Sequence, residues 1–129
     1  MLARRNAEAH GATNVTFAAR DAADGLHGVQ ADPDETVVLV DPPRAGLSPG
    51  ARAALRGLGP RRLVYVSCDC HTQARDLREL TAGGYAVRAV TPLDLFPQTR
   101  HLESVVVLER GAAPPAPPGA GRVQRVGPP

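Results

Sequence analysis

Two continuous apolar runs, Thr36 to Val40 and Leu63 to Val66, separated by one helical stretch, constrain this chain more than any other feature. A β-branched run without polar alternation predicts a strand buried on both faces. Two such strands joined by a helix must lie parallel, because only a crossover returns the chain to the same starting edge. Ser48-Pro49 predicts the helix start, a capping hydroxyl followed by a proline that the first turn tolerates, and Gly57 or Gly59 predicts its end. The fold class that follows is α/β.

The flanks extend this pattern. Leu2 to His10 is alanine-rich and helical up to Gly11, and Asn14 to Ala19 reads as a short strand. Asp21 to Gln30 reads as a loop or short helix, broken at Asp32-Pro33-Asp34. A helix is expected from about Thr72 to Ala82, with Ala74, Leu77 and Leu80 as its apolar positions and Gly83-Gly84 as its stop. Two last strands, Tyr85 to Val90 and Ser104 to Leu108, have no helix between them and should pair antiparallel.

A length of 129 residues allows one domain with a modest core. Residues 111–129 hold six prolines, no acidic residue and only two valines as larger apolar side chains. Such a segment cannot bury enough surface to order itself, so the domain is expected to span residues 1–110, with a disordered tail at 111–129. All 15 basic residues are arginine, yet a formal net charge of +2 spread along the chain makes no nucleic-acid footprint. No long apolar segment or signal peptide is present and the two cysteines stand too close for an ordinary disulfide, so a reducing, cytoplasmic setting without a membrane is expected.

Cys68, in Tyr65-Val66-Ser67-Cys68-Asp69, ends an apolar strand just before a helix. In open α/β sheets ligands bind at the carboxyl ends of strands, and a helix N-terminus favours the reactive thiolate. Packing as a small buried hydrophobe explains the same position equally well. A Cys-x-Cys followed by His71 offers three ligands where a structural zinc site needs four, so no metal is expected.

Three blocks decide between the readings of Cys68. They are Asp41-Pro42-Pro43-Arg44-Ala45-Gly46, the segment around Ser67-Cys68, and Phe96-Pro97-Gln98-Thr99-Arg100-His101-Leu102-Glu103. In this order and spacing, from about Ala3 to Arg110, the chain resembles the RNA uracil-carbon-5 methyltransferases, which use S-adenosylmethionine. The resemblance implies the C-terminal portion of a Rossmann-like class I methyltransferase domain with its first strands missing. No Gly-x-Gly follows a strand here, and Met1 begins inside the helix that should follow the ribose-binding acidic residue. In the family's strand order the absent strands lie between those at Asn14 to Ala19 and Thr36 to Val40. A fragment with unpaired sheet edges is therefore expected.

The site residues follow from the same resemblance. Cys68 is expected to add to carbon 6 of uracil, and Glu103 to remove the carbon 5 proton after methyl transfer. Asp41 and Asp21 are expected at the cofactor, the first at its strand end and the second facing adenine, although Asp21 reads equally as a loop aspartate capping the next turn. Arg44 and His101 are expected to contact RNA; a local salt bridge and loop packing are their plainer roles. The residues around Glu103 look most like the ribosomal RNA branch, with transfer RNA as the other substrate. Where the family usually has Ser-Cys-Asn-Pro, this chain has Ser67-Cys68-Asp69-Cys70. Two other readings remain: an inactive remnant or interaction module, supported by the absent cofactor loop, and an amino-methylating enzyme, which leaves Cys68 and Glu103 unexplained.

Overall fold

The computed structural model describes residues 2–95, 97–99 and 102–111. Phe96 and His101 lie outside that range, as does the tail beyond Gly111. Helices α1 (Leu2–Ala9) and α2 (Ala22–His27) precede strand β1 (Val37–Val40). Then follow α3 (Pro49–Leu58), β2 (Arg62–Ser67), α4 (Cys70–Ala82), β3 (Tyr85–Leu93) and β4 (Glu103–Arg110). The sheet order is β1-β2-β4-β3. β1 and β2 run parallel; β4 is antiparallel to β3, as the missing crossover predicted, and antiparallel to β2 as well.

Local chemistry sets the boundaries. The Ser48 side chain accepts from Ala51 N at 3.1 Å, Pro49 fills the first turn of α3, and Gly59 closes it in the left-handed region with φ 58°. Asp69 caps α4, which moves the start of that helix back to Cys70 from the expected Thr72. The packed face of α4 also differs from expectation. Gln73, Asp76 and Leu80 are buried with Leu77 partly so, whereas Ala74 is exposed.

One face of the sheet carries the core. Leu63, Tyr65, Val106 and Leu108 alternate inward along β2 and β4 and meet Leu47, Ala51 and Leu55 of the α3 segment, Leu80 of α4 and Tyr85. Each leucine buried here contributes roughly 1.5–3 kcal/mol. The other face is open. Val37 is 60% and Leu39 66% exposed, so β1 is a half-covered edge strand and not the doubly buried strand its composition predicted. Continuous β-branching reports strand propensity, and burial on the second face needs a covering layer that the described residues do not supply.

The segment Asn14 to Ala19, expected as a strand, forms none. A strand is stable only when its backbone groups pair, and no described strand lies beside this segment. No helix among the described residues is long and apolar enough to cross a membrane.

Candidate active site

Parallel β1 and β2 both end at one edge of the sheet, and antiparallel β4 begins there. Three candidate residues fall on that edge by register. Val40 pairs with Tyr65, so Asp41 stands one step beyond the end of β1. Ser67 pairs with Ser104 at the last rung of the ladder, so Cys68, next after Ser67, and Glu103, next before Ser104, each stand one residue from that rung. Two residues 35 positions apart in sequence thus flank one rung of the sheet. Cys68 is half-buried and its thiol is free, Glu103 is half-buried, and Asp41 is exposed. Among the described residues, neither the Asp41 nor the Glu103 carboxylate takes a hydrogen bond or an ion pair.

The turn holding Cys68 is closed on both sides. The Ser67 hydroxyl accepts from Asp69 N at 3.1 Å and donates to the Asp69 carbonyl at 3.0 Å. The Asp69 carboxylate accepts from His71 N and Thr72 N at 3.0 and 3.1 Å, so the charge beside the thiol is engaged by the helix it caps. Those bonds, the one from Thr72 above all, hold its pKa below the ordinary carboxylate range. Gln73 lies one turn further on, 3% exposed; its Nε2 donates to the Tyr65 carbonyl at 3.1 Å and its Oε1 accepts from the Ser104 hydroxyl. The carbonyl partner fixes which way the amide points, since only its nitrogen can donate.

The loop after Asp41 is tied to α4 by a buried ionic cluster. Asp76, fully buried, accepts from Leu47 N at 2.7 Å, from the Tyr65 hydroxyl at 2.7 Å and from the Arg52 guanidinium at 3.0 Å. Arg75 reaches both Asp76 and the Ala45 carbonyl, and the Thr72 hydroxyl donates to the Arg44 carbonyl at 2.8 Å. Burial first, then the hydrogen bond to Asp76, pushes the Tyr65 hydroxyl well above its ordinary pKa and keeps it a donor. Gly46, at φ 77°, is the point of closest approach, since a Cβ there would stand 2.5 Å from Asp76 Oδ2.

The remaining candidates are placed differently. Asp21 caps α2, its Oδ1 accepting from Ala23 N at 2.8 Å. The capping role read from its sequence is therefore present, on an exposed residue. Arg44 is exposed at the same edge as Asp41, and His101 lies outside the described residues. No group of three or more His, Cys, Asp or Glu able to hold a metal occurs among the described residues. The cavity lined by Arg4, Glu8, Ala12, Val15 and Phe17 contains none of the candidate groups. Sequence reasoning missed Gln73, Asp76, Ser67 and Ser104; polar side chains at the core spacing of α4 were the available signal.

Comparison with known proteins identifies the family. A family model described as tRNA (uracil-5-)-methyltransferase matches residues 12–111. An uncharacterised RNA methyltransferase of Halalkalibacterium halodurans is 46% identical over 112 residues, covering 83% of this chain and 24% of the relative. A second, from Gloeobacter violaceus, is 46% identical over 108 residues, covering 84% and 23%. The chain thus spans about a quarter of the length of these relatives. The crystal structure of Pyrococcus abyssi tRNA (uracil-54, C5)-methyltransferase in complex with S-adenosyl-L-homocysteine superposes with a TM-score of 0.64 at 37% identity, covering 82% of this chain and 25% of that one. With the fold shared and the match running through all three strand-end blocks, this chain belongs to the tRNA (uracil-5-)-methyltransferase family.

Proposed function

We propose that this chain supplies the nucleophile and the base of an S-adenosylmethionine-dependent methyltransferase acting on carbon 5 of a uridine in RNA. The observation that supports this reading best is the register that pairs Ser67 with Ser104 and so leaves Cys68 and Glu103 each one residue from the same rung at the carboxyl edge of the sheet.

Carbon 5 of uracil is a poor nucleophile. When the Cys68 thiolate adds to carbon 6, the electron pair of the ring double bond moves toward the carbon 4 oxygen, and the resulting enolate is nucleophilic at carbon 5. S-adenosylmethionine, when bound, supplies an electrophilic methyl group on its sulfonium. Glu103 then takes the proton from carbon 5, the double bond re-forms, and the bond from sulfur to carbon 6 breaks, returning the thiolate. A carboxylate without a competing partner can accept that proton.

The fit to the cofactor is partial. Asp41 and the Oδ2 atom of Asp21 are acceptors suited to the amino and hydroxyl donors of an adenosyl group. No glycine-rich turn follows β1 or β2 among the described residues to cradle the amino-acid end. Arg44 is assigned to phosphate contact, since an exposed guanidinium in the loop after β1 offers a fork that matches a phosphodiester's geometry. His101 keeps its assigned RNA contact from sequence.

The substrate is read as RNA, with the transfer and ribosomal classes separated by experiment. The family description and the Pyrococcus abyssi enzyme name tRNA, whereas residues 101–104 favoured rRNA. A cytoplasmic setting is inferred from two free cysteines, and a domain at 1–110 with a tail at 111–129 from composition.

The test replaces Cys68 by serine at the native locus and quantifies 5-methyluridine in separated tRNA and rRNA by mass spectrometry. Loss from one fraction identifies the substrate. Unchanged levels in both fractions remove the nucleophile assignment and leave the interaction-module reading.

A further inference from the structure

We propose that Gln73 is a positioning residue that sets the spacing between Cys68 and Glu103; this rests on the roles just assigned to those two residues. The proposal comes from where its amide reaches. Gln73 sits on the first turns of α4, the helix that begins immediately after the nucleophile turn, and its own backbone N bonds to the Asp69 carbonyl at 3.1 Å. Its side chain leaves that helix in two directions. Nε2 donates to the carbonyl of Tyr65 on β2, and Oε1 accepts from Ser104, the residue next to Glu103 on β4. One side chain thus joins the strand before the nucleophile, the helix after it and the strand that carries the base.

The location explains why a polar residue occupies a core position. An amide at 3% exposure costs stability unless its donor and acceptor are both matched, and no buried side-chain polar atom among the described residues lacks a partner. A leucine of similar size would fill the same space without bonds. What the amide adds is direction: two hydrogen bonds of fixed geometry at the last rung of the β2–β4 ladder, where strand pairing stops at Ser67 and Ser104. Past that rung nothing in the backbone ladder holds Cys68 to Glu103. A loss of register by a fraction of a residue there would separate the thiol from the carboxylate that must act on the adjacent carbon.

The experiment measures the spacing directly, without relying on turnover. In the 129-residue chain carrying Cys70→Ser and Glu103→Cys, a disulfide between positions 68 and 103, each one residue from the Ser67–Ser104 rung, requires a Cα separation of about 4.4–6.8 Å. The effective concentration of that disulfide is read in glutathione buffers by alkylation and mass measurement. A second pair, Val64→Cys with Val107→Cys in a Cys68→Ser, Cys70→Ser background, reports the same ladder three to four residues away from the edge. Gln73→Leu and, separately, Ser104→Ala are expected to lower the value at 68–103 about tenfold, the size of one net hydrogen bond, and to leave 64–107 unchanged. Gln73→Glu, which still accepts from Ser104 but cannot donate to Tyr65, should fall between.

An equal drop at both pairs means that Gln73 serves only general stability and overturns the proposal. So does an unchanged value at 68–103 in both variants, which leaves the catalytic assignment of Cys68 and Glu103 standing. Failure of the 68–103 disulfide to form even with Gln73 present overturns the proximity itself, and with it the pairing behind the proposed function.

Discussion

Two sets of polar groups lie within a few residues of each other and are treated in opposite ways. Behind the edge, Asp76 takes bonds from a backbone amide, a phenol and two guanidinium groups. On the edge, Asp41 and Glu103 have no such partners among the described residues. The same contrast runs along a single strand: Glu109, near the far end of β4, is held by Arg62 and Arg88, whose hydrogen bonds lower its pKa, while Glu103 at the near end has no side-chain partner among the described residues. Bonds are concentrated where they fix backbone, and the groups assigned to the proposed chemistry are left uncommitted among the described residues. Stability and activity should therefore respond to different residues.

Asp76→Ala should break the comparison most severely. It leaves the Arg52 charge, the Tyr65 hydroxyl and Leu47 N without their partner in a buried site, and removing one member of such a cluster costs roughly 3–5 kcal/mol. Urea unfolding followed by circular dichroism measures the loss. A change below about 1 kcal/mol would mean that water or relaxation satisfies these groups and that the cluster is not what holds the Asp41 loop. Gly46→Ala tests the same clamp from the loop side. It forces a side chain into the left-handed region and within 2.5 Å of Asp76 Oδ2, so a loss of about 1–3 kcal/mol is expected in the same melt.

How much of this was legible beforehand depends on what kind of signal each feature leaves. Helix α3 could be read because Ser48, Pro49 and Gly59 act locally, through a cap, a fixed φ and a positive φ. The antiparallel pairing of β3 and β4 could be read because a connection without a helix leaves no other choice. The exposure of β1 could not, since Val37 to Val40 have the same composition whether or not a second layer covers them. The strand expected at Asn14 to Ala19 failed for a related reason: pairing depends on a neighbour, which no property of the segment itself reveals. At the edge, Cys68 and Glu103 are reached through motif resemblance, and each stands one residue from the Ser67–Ser104 rung of the β2–β4 ladder. Asp76 and Gln73 were passed over because the apolar pattern of α4 was assigned to Ala74, Leu77 and Leu80. Buried polar residues mimic surface ones in sequence and are told apart only by the partners that satisfy them.

Asp69 stands between the two sets, half-buried and engaged, and its pH response sharpens the distinction. Its folded pKa is depressed by the Thr72 and His71 amides, so its contribution to stability is complete above the ordinary carboxylate value and is lost as the pH falls below that value through the depressed folded one. Asp69→Asn keeps an acceptor for both amides but cannot titrate. Comparing the melting temperatures of the two chains between pH 6 and pH 2 should show a difference that changes only in the acid limb. The size is expected to be small, because the carboxylate is solvated. A difference that persists unchanged across the range would show that its charge state does not matter to the cap.

Glu103→Gln should have the least effect on folding and so isolates the edge from the scaffold beneath it. The substitution is nearly isosteric, and the carboxylate it replaces has no hydrogen bond or ion pair among the described residues, so the midpoint of urea unfolding should move by no more than about 0.5 kcal/mol. Its effect on the proposed chemistry is of another order. An amide cannot take the carbon 5 proton, and loss of a positioned base typically costs a factor of about 10²–10⁴. Addition of Cys68 to carbon 6 and methyl transfer both precede that step, so the variant should retain sulfur bonded to a methylated uridine. Denaturing gels of protein exposed to RNA and S-adenosylmethionine would reveal that species as a slow band, removed by nuclease. A Glu103→Gln chain that unfolds at much lower urea would place this carboxylate in the scaffold; one that folds normally and still releases 5-methyluridine at the parental rate would take the base role away from it. Only stability retained together with an arrested adduct is consistent with an edge whose groups are kept free of structural bonds for the reaction.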